Sequence, residues 1–138
     1  KGCEPIYLLA EELIEKIKQL ISENSTISVG GSMTLFETGV IDLLRSGKYN
    51  FLDRYESNLT PQDSKKIFRE TFFADTYISS TNALTEQGEL FNVDGTGNRV
   101  ASMIFGPEQV IIIAGVNKIV KYLKEAEERL KRIASPKG

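Results

Sequence analysis

The sequence predicts an α/β fold: a three-layer, open, mostly parallel sheet with helices on both faces. Three observations carry that expectation. Segments with helical spacing alternate with short β-branched runs over short links. The run Thr26-Ile27-Ser28-Val29 passes through Gly30-Gly31 directly into a helical stripe. Val110-Ile111-Ile112-Ile113-Ala114, the most apolar run of the chain, has the composition of a parallel strand covered on both sides, which places it mid-sheet.

The elements follow in order. From Pro5 to about Glu23, Leu9, Leu13, Ile17 and Leu20 recur at amphipathic-helix spacing, with Ile14 and Ile21 beside them. Asn24-Ser25 reads as a turn and Thr26–Val29 as a buried strand ending at Gly30-Gly31. Ser32 stands where an N-cap belongs, and Leu35, Phe36, Val40, Leu43 and Leu44 form a second helical stripe that stops near Ser46-Gly47. Asn50 to Tyr55 fits a strand or a turn. Thr60 as cap and Pro61 at the first position start a third helix running to about Phe73. Thr76–Ser79 is a strand, Glu86-Gln87-Gly88 a tight loop, and Glu89–Val93 a return strand. Asn98–Phe105 makes one or two helical turns closed by Gly106-Pro107. A last helix spans about Val120 to Ala134, its Lys121/Glu125, Glu125/Arg129 and Glu128/Arg132 pairs forming either a solvated face or a partner surface.

The chain of 138 residues, 41% hydrophobic and 26% charged, is long enough for a single domain spanning 1–138 with its own core. A first residue of Lys and an end just beyond a helix suggest a piece of a longer protein lacking flanking segments. Seventeen basic against nineteen acidic side chains, a formal charge of -2, provide no general pull toward nucleic acid or membrane. With no His, there is no Ser-His-Asp triad, imidazole shuttle or His-ligated metal. A single Cys3 forms neither an internal disulfide nor an iron–sulfur ligand set, and it reads as an incidental thiol in a reducing cytoplasm. No apolar run reaches the roughly 20 residues that span a bilayer. The expected location is cytoplasmic, with no metal site and no specified cofactor. Asn24-Ser25-Thr26 and Asn58-Leu59-Thr60 match the glycan acceptor pattern, which in that setting is a chance match.

Three segments carry candidate chemistry. In Val29-Gly30-Gly31-Ser32-Met33-Thr34, glycines let backbone N–H groups converge, and the helix start adds donors, an arrangement suited to an anion. Ser32 and Thr34 add hydroxyls, although the segment matches neither the dinucleotide fingerprint nor the P-loop. The same residues also suit a tight turn with a capping serine. The stretch Ser79 to Arg99 collects Thr81, Asn82, Glu86, Asp94, Gly95, Thr96, Gly97, Asn98 and Arg99. There Gly95 and Gly97 permit close backbone approach, Thr96 and Asn98 donate, and Arg99 offers a fork for carboxylate or phosphate. Asx-turns, with Arg99 paired to Asp94 or Glu86, are the alternative. Finally, Lys118 in Gly115-Val116-Asn117-Lys118 either neutralises an anion on the same rim or lies in a cap facing water.

Together, Val29 to Leu35, Asn82 to Gly88, Asn92 to Val100, Phe105-Gly106-Pro107 and Gly115 to Val120 resemble the LUD (lactate utilisation) domain family, over about Ile27 to Pro136. The resemblance implies a ribose-5-phosphate isomerase and CoA-transferase-like fold and an association with bacterial operons that oxidise lactate to pyruvate. It also implies sugar-phosphate or CoA-ester ligands at the carboxyl ends of strands. Asn82 falls where the isomerases carry a catalytic Asp, and an amide does not take a proton as a carboxylate does. Glu86 falls near the nucleophilic glutamate of the CoA transferases. Family members commonly carry further sequence at both ends.

The resulting expectation is a protein that binds a small anionic metabolite, a hydroxy acid or phosphate-bearing ligand, between Gly30 to Thr34, Asn82 to Glu86 and Asp94 to Arg99. The Gly31 to Thr34 amides and Arg99 hold the anion, Asn82 and Asn98 orient it, and Glu86 or Asp94 is the base if there is chemistry. Without a redox centre of its own, the chain needs an iron–sulfur partner protein for lactate oxidation. Two alternatives stand beside it: a sugar-phosphate isomerase or acyl/CoA transferase using Glu86, and a non-catalytic scaffold or regulatory subunit. Strand edges leave room for a homodimer.

Overall fold

The computed structural model describes residues 6–81, 83–86, 90–91, 101–103, 105–115 and 118–121. Helix α1 (Leu13–Leu20) follows a 3-10 turn at Ala10–Glu12. It starts later than the periodicity predicts because Leu9 is extended and its N–H donates to Glu12 Oε1 at 2.7 Å, which sets the first turn there. It ends as Ile21 becomes extended and Asn24 turns to a positive φ of 68°. Strand β1 (Thr26–Val29) is as expected.

The second helical stripe is two helices, α2 (Met33–Glu37) and α3 (Val40–Leu44). Gly39 sits between them at φ +83°, a left-handed conformation that interrupts the helical hydrogen bonds. The ambiguous stretch after α3 resolves into a two-residue strand, β2 (Asn50–Phe51), followed by a turn. Helix α4 (Pro61–Glu70) opens on a capping box: Asp63 N–H donates to Thr60 Oγ1 at 3.1 Å and Thr60 N–H to Asp63 Oδ2 at 3.0 Å. A 3-10 turn, Thr71–Phe73, completes it.

Strand β3 (Thr76–Ser79) is buried throughout. Two strands the sequence does not signal join the expected return strand in a sheet: β4 (Ala83–Thr85) lies antiparallel to that strand, β5 (Leu90–Phe91), and on its other side parallel to β7 (Ile119–Val120). Val120 is therefore strand and Lys121 a bend where a helix was expected to begin, and residues 122–134 of that predicted helix lie outside the described residues. A helical turn at 101–103, with Phe105 N–H donating to Ala101 O at 3.0 Å, falls within the expected 98–105 segment.

Strands β2, β1, β3 and β6 (Gln109–Ile112) form, in that order, a wholly parallel sheet; β5, β4 and β7 form a second. The sequence places Val110–Ala114 mid-sheet; among the described strands β1 and β3 hold the inner places, and half-buried β6 stands at the end of the row. Side-chain alternation explains the layers. Ile27 and Val29 of β1, with Ile78 of β3, face Ile17 and Ile21 of the α1 segment, Leu35 of α2, and Val40, Ile41 and Leu44 of α3. On the opposite face Ser28 meets Thr71 after α4, Oγ to Oγ1 at 2.6 Å. Helices thus cover both faces, the α/β arrangement the sequence predicts.

The two ends of the parallel sheet differ chemically. At the amino ends, side chains tie the strands together: Thr26 N–H donates to Asp75 Oδ2 at 2.8 Å, Asn50 Nδ2 to Thr26 Oγ1 at 3.0 Å, and Thr76 Oγ1 to Gln109 Oε1 at 2.9 Å. The carboxyl ends carry the glycine bend and the serines.

Candidate functional site

As β1 ends, Gly30 N–H donates to Ile78 O of β3 at 3.0 Å, drawing the bend against its neighbour. A Cβ at Gly30 would collide with Ser79 Oγ and stand 2.6 Å from the Tyr77 hydroxyl oxygen, so close approach of two strands requires glycine here. Ser32 is extended, and its Oγ accepts from Thr34 N–H at 3.1 Å, the predicted N-cap. The Ser32 hydroxyl donates in turn to Ser80 Oγ, the residue after β3, at 3.0 Å. Ser32 N–H donates to the Tyr55 hydroxyl at 3.2 Å. The amides of Ser32 and Thr34 thus have partners inside the protein, and the bend presents hydroxyls rather than these amides.

Past β3 the chain enters Ser80-Thr81. Thr81 is fully buried, and its hydroxyl donates to Ala83 O at 3.1 Å. Its carbonyl accepts from Lys118 Nζ at 3.2 Å. Thr81, expected among the ligand-binding residues, engages its hydroxyl and its carbonyl in these two contacts. Lys118 sits in the short link between β6 and β7, where its N–H donates to Gly115 O at 2.9 Å. Hydroxyls and an ammonium from three separate connections, after β1, β3 and β6, thus meet on the Ser80-Thr81 dipeptide at the carboxyl rim.

Of the predicted residues, Gly30, Gly31, Ser32, Thr34, Thr81 and Lys118 occupy that rim. Glu86 does not share these contacts: it is exposed beyond β4, with its N–H donating to Val120 O at 3.0 Å. Asn82, Asp94, Gly95, Thr96, Gly97, Asn98 and Arg99 lie outside the described residues.

Sequence reasoning missed Arg54 and Tyr55. Tyr55 packs edge-on against Phe36, ring centroids 4.7 Å apart, and carries the hydroxyl that accepts from Ser32. The Arg54 guanidinium nitrogens lie 3.4 Å from where a Gly31 Cβ would stand. Both residues fall in the 50–55 stretch, where no periodicity marks them, and both meet the bend through contacts more than twenty residues distant in sequence. An open depression of about 300 Å³ lies elsewhere, lined by Gln62, Lys65, Lys66, Arg69, Glu70 and Phe73 of α4 and its following turn, with nothing from the strand ends.

The LUD domain family model matches residues 1–138. Among solved structures, ribose 5-phosphate isomerase from Plasmodium falciparum is similar at 17% identity and a TM-score of 0.48, with 94% of this chain and 67% of that one covered. No curated protein matches. No helix among the described residues is long and apolar enough to cross a membrane.

Proposed function

Since the chain belongs to the LUD domain family, we propose that it binds a small anionic metabolite, a hydroxy acid or a phosphate-bearing molecule, at the carboxyl ends of β1 and β3. The observation that carries this reading is the Ser80-Thr81 dipeptide: the Ser80 hydroxyl pairs with that of Ser32 at 3.0 Å, and Thr81 O accepts from the Lys118 ammonium at 3.2 Å. Hydroxyls there supply orientable donors, and Lys118 supplies positive charge at a strand end where anions are commonly bound. Arg99, with Asn82, Gly95, Thr96, Gly97 and Asn98, completes the cleft in this proposal, and Glu86 or Asp94 serves as base if the ligand is turned over. A role in lactate oxidation assigns the electrons to a partner protein with an iron–sulfur centre, because one Cys and no His leave this chain without ligands for one.

Thermal unfolding with lactate, pyruvate, inorganic phosphate, aldose phosphates and CoA thioesters tests the proposal. At one hundred times Kd a true ligand adds about 2.7 kcal/mol of stability, enough to shift the midpoint by several degrees. That shift is expected for one anion class and is expected to shrink in Ser80→Ala and Lys118→Met. No stabilisation by any of them overturns the reading in favour of a scaffold. Turnover of a thioester or aldose phosphate that disappears in Glu86→Gln assigns the enzyme role instead.

A further inference from the structure

We propose that Arg54 is the residue that grips the oxyanion at the Gly31 bend, presenting its guanidinium edge to a carboxylate or phosphate group. The inference rests on the bend being a ligand site and names its main cationic contact. Three observations lead to it.

The first is placement. Two guanidinium nitrogens and the guanidinium carbon lie 3.4 to 3.5 Å from the position of a Cβ at Gly31. The missing side chain thus leaves the cation against bare backbone, one residue from the hydroxyls of the site. Arg54 is half-buried, so solvent reaches it.

The second is how the charge is held. The guanidinium carbon lies 5.1 Å from the Phe68 ring centroid and 5.5 Å from that of Tyr55. Aromatic rings stabilise a guanidinium through their π electrons and leave its in-plane N–H donors available. Tyr55 also accepts from Ser32 N–H, so one side chain positions both the bend and the cation.

The third is the fate of the nearest acid. Asp53 precedes Arg54 in the chain, yet its carboxylate is taken by Arg45, Nε to Oδ2 at 2.7 Å and Nη2 to Oδ1 at 3.3 Å, and by Tyr55 N–H at 2.9 Å. Among the described residues no carboxylate bonds Arg54. A forked donor, ring-supported and with its neighbouring acid diverted, matches an anion that offers two oxygens in one plane.

The test is calorimetric titration of the full chain with inorganic phosphate and, separately, lactate. Arg54→Gln is expected to weaken binding by about tenfold to a hundredfold, the range for charge-assisted hydrogen bonds. Arg54→Lys keeps the charge but not the fork and should weaken binding by roughly tenfold, more for the carboxylate than a point charge would explain. Arg45→Ala lies away from the ligand but releases Asp53 toward Arg54, and it should weaken binding several-fold, which keeps the inference testable if the Arg54 variants unfold. Binding that falls in Ser80→Ala yet stays at wild-type strength in Arg54→Gln and Arg54→Lys overturns the role of Arg54 and leaves the site intact. An absence of anion binding in the wild-type chain overturns both.

Discussion

The Ser32 hydroxyl donates to Ser80 Oγ across 3.0 Å, joining the cap of α2 to the residue that leaves β3. The same Ser32 oxygen accepts from Thr34 N–H, so one side chain ends a strand, starts a helix and clasps the neighbouring strand. Removing each member should separate these tasks. Ser32→Ala loses cap and clasp together and is expected to destabilise the fold by about 1–3 kcal/mol, whereas Ser80→Ala loses the clasp alone, about 1 kcal/mol. Urea unfolding of the two single variants and the double variant checks this: the double should cost little more than Ser32→Ala. Simple additivity would show that the hydroxyl pair is not coupled.

Gly30→Ala should cost about 1–3 kcal/mol, because the new methyl meets Ser79 Oγ and the Tyr77 hydroxyl on β3. The expected signature is partial rescue: in a Ser79→Ala background, where one obstructing oxygen is gone, the same substitution should cost less. Equal penalties in both backgrounds would place the strain elsewhere. Anion binding should weaken along with stability, since the bend moves with the strand.

The capping box at the start of α4 should be visible in pH dependence. Asp63 is held below its ordinary carboxylate pKa, first by the backbone N–H of Thr60 and then by the Thr60 hydroxyl. A lowered folded-state value means the carboxylate stabilises the fold above its unfolded-state pKa, and the contribution is lost as pH falls through the lowered value. Wild type should therefore melt above Asp63→Asn at neutral pH, and the gap should close on acidification below the ordinary carboxylate range. A gap independent of pH would assign the effect to side-chain shape rather than charge.

Arg45 illustrates the opposite sign. Its guanidinium pKa is raised above its ordinary value, chiefly by the hydrogen bond to Asp53, so Arg45 itself stays charged. Arg45 is exposed while Asp53 is largely covered, and exposed pairs of this kind contribute up to about 1 kcal/mol and are sensitive to salt. Arg45→Ala should therefore lower thermal stability only slightly at low salt and still less at high salt. A large loss would mean that Arg45 supports the 50–55 turn by packing as well as by charge.

Much of the architecture was legible in local chemistry, and what was not depends on distant neighbours. The β-branched run at β1, the Thr60-Pro61 start of α4 and the Ser32 cap each have a local cause, and each stands where the sequence puts it. The second helix was read as continuous because Leu35, Val40 and Leu44 keep their spacing across Gly39, whose left-handed conformation that spacing does not encode. The most apolar run was placed at the centre, but strand order follows from the connections. β1 and β3 are the inner strands of the described row, although β3 carries Thr76 and Ser79 at its ends. Ala83-Leu84-Thr85 is too short and too mixed to signal a strand without its partners. In the candidate site, the glycine bend and Lys118 were read from their positions after strands, while Arg54 and Ser80 come to the bend only through the fold that brings residues 31 and 54, or 32 and 80, together.

The most direct measurement is a ¹H–¹⁵N correlation spectrum of the labelled chain titrated with phosphate, lactate and pyruvate. Saturable shifts centred on Gly31, Ser32, Ser80, Thr81 and Lys118, with the Arg54 side chain among them, are the expected result. Spectra unchanged at high anion concentration, or changes confined to Lys65, Lys66 and Arg69 on α4, would contradict an anion site at the carboxyl rim.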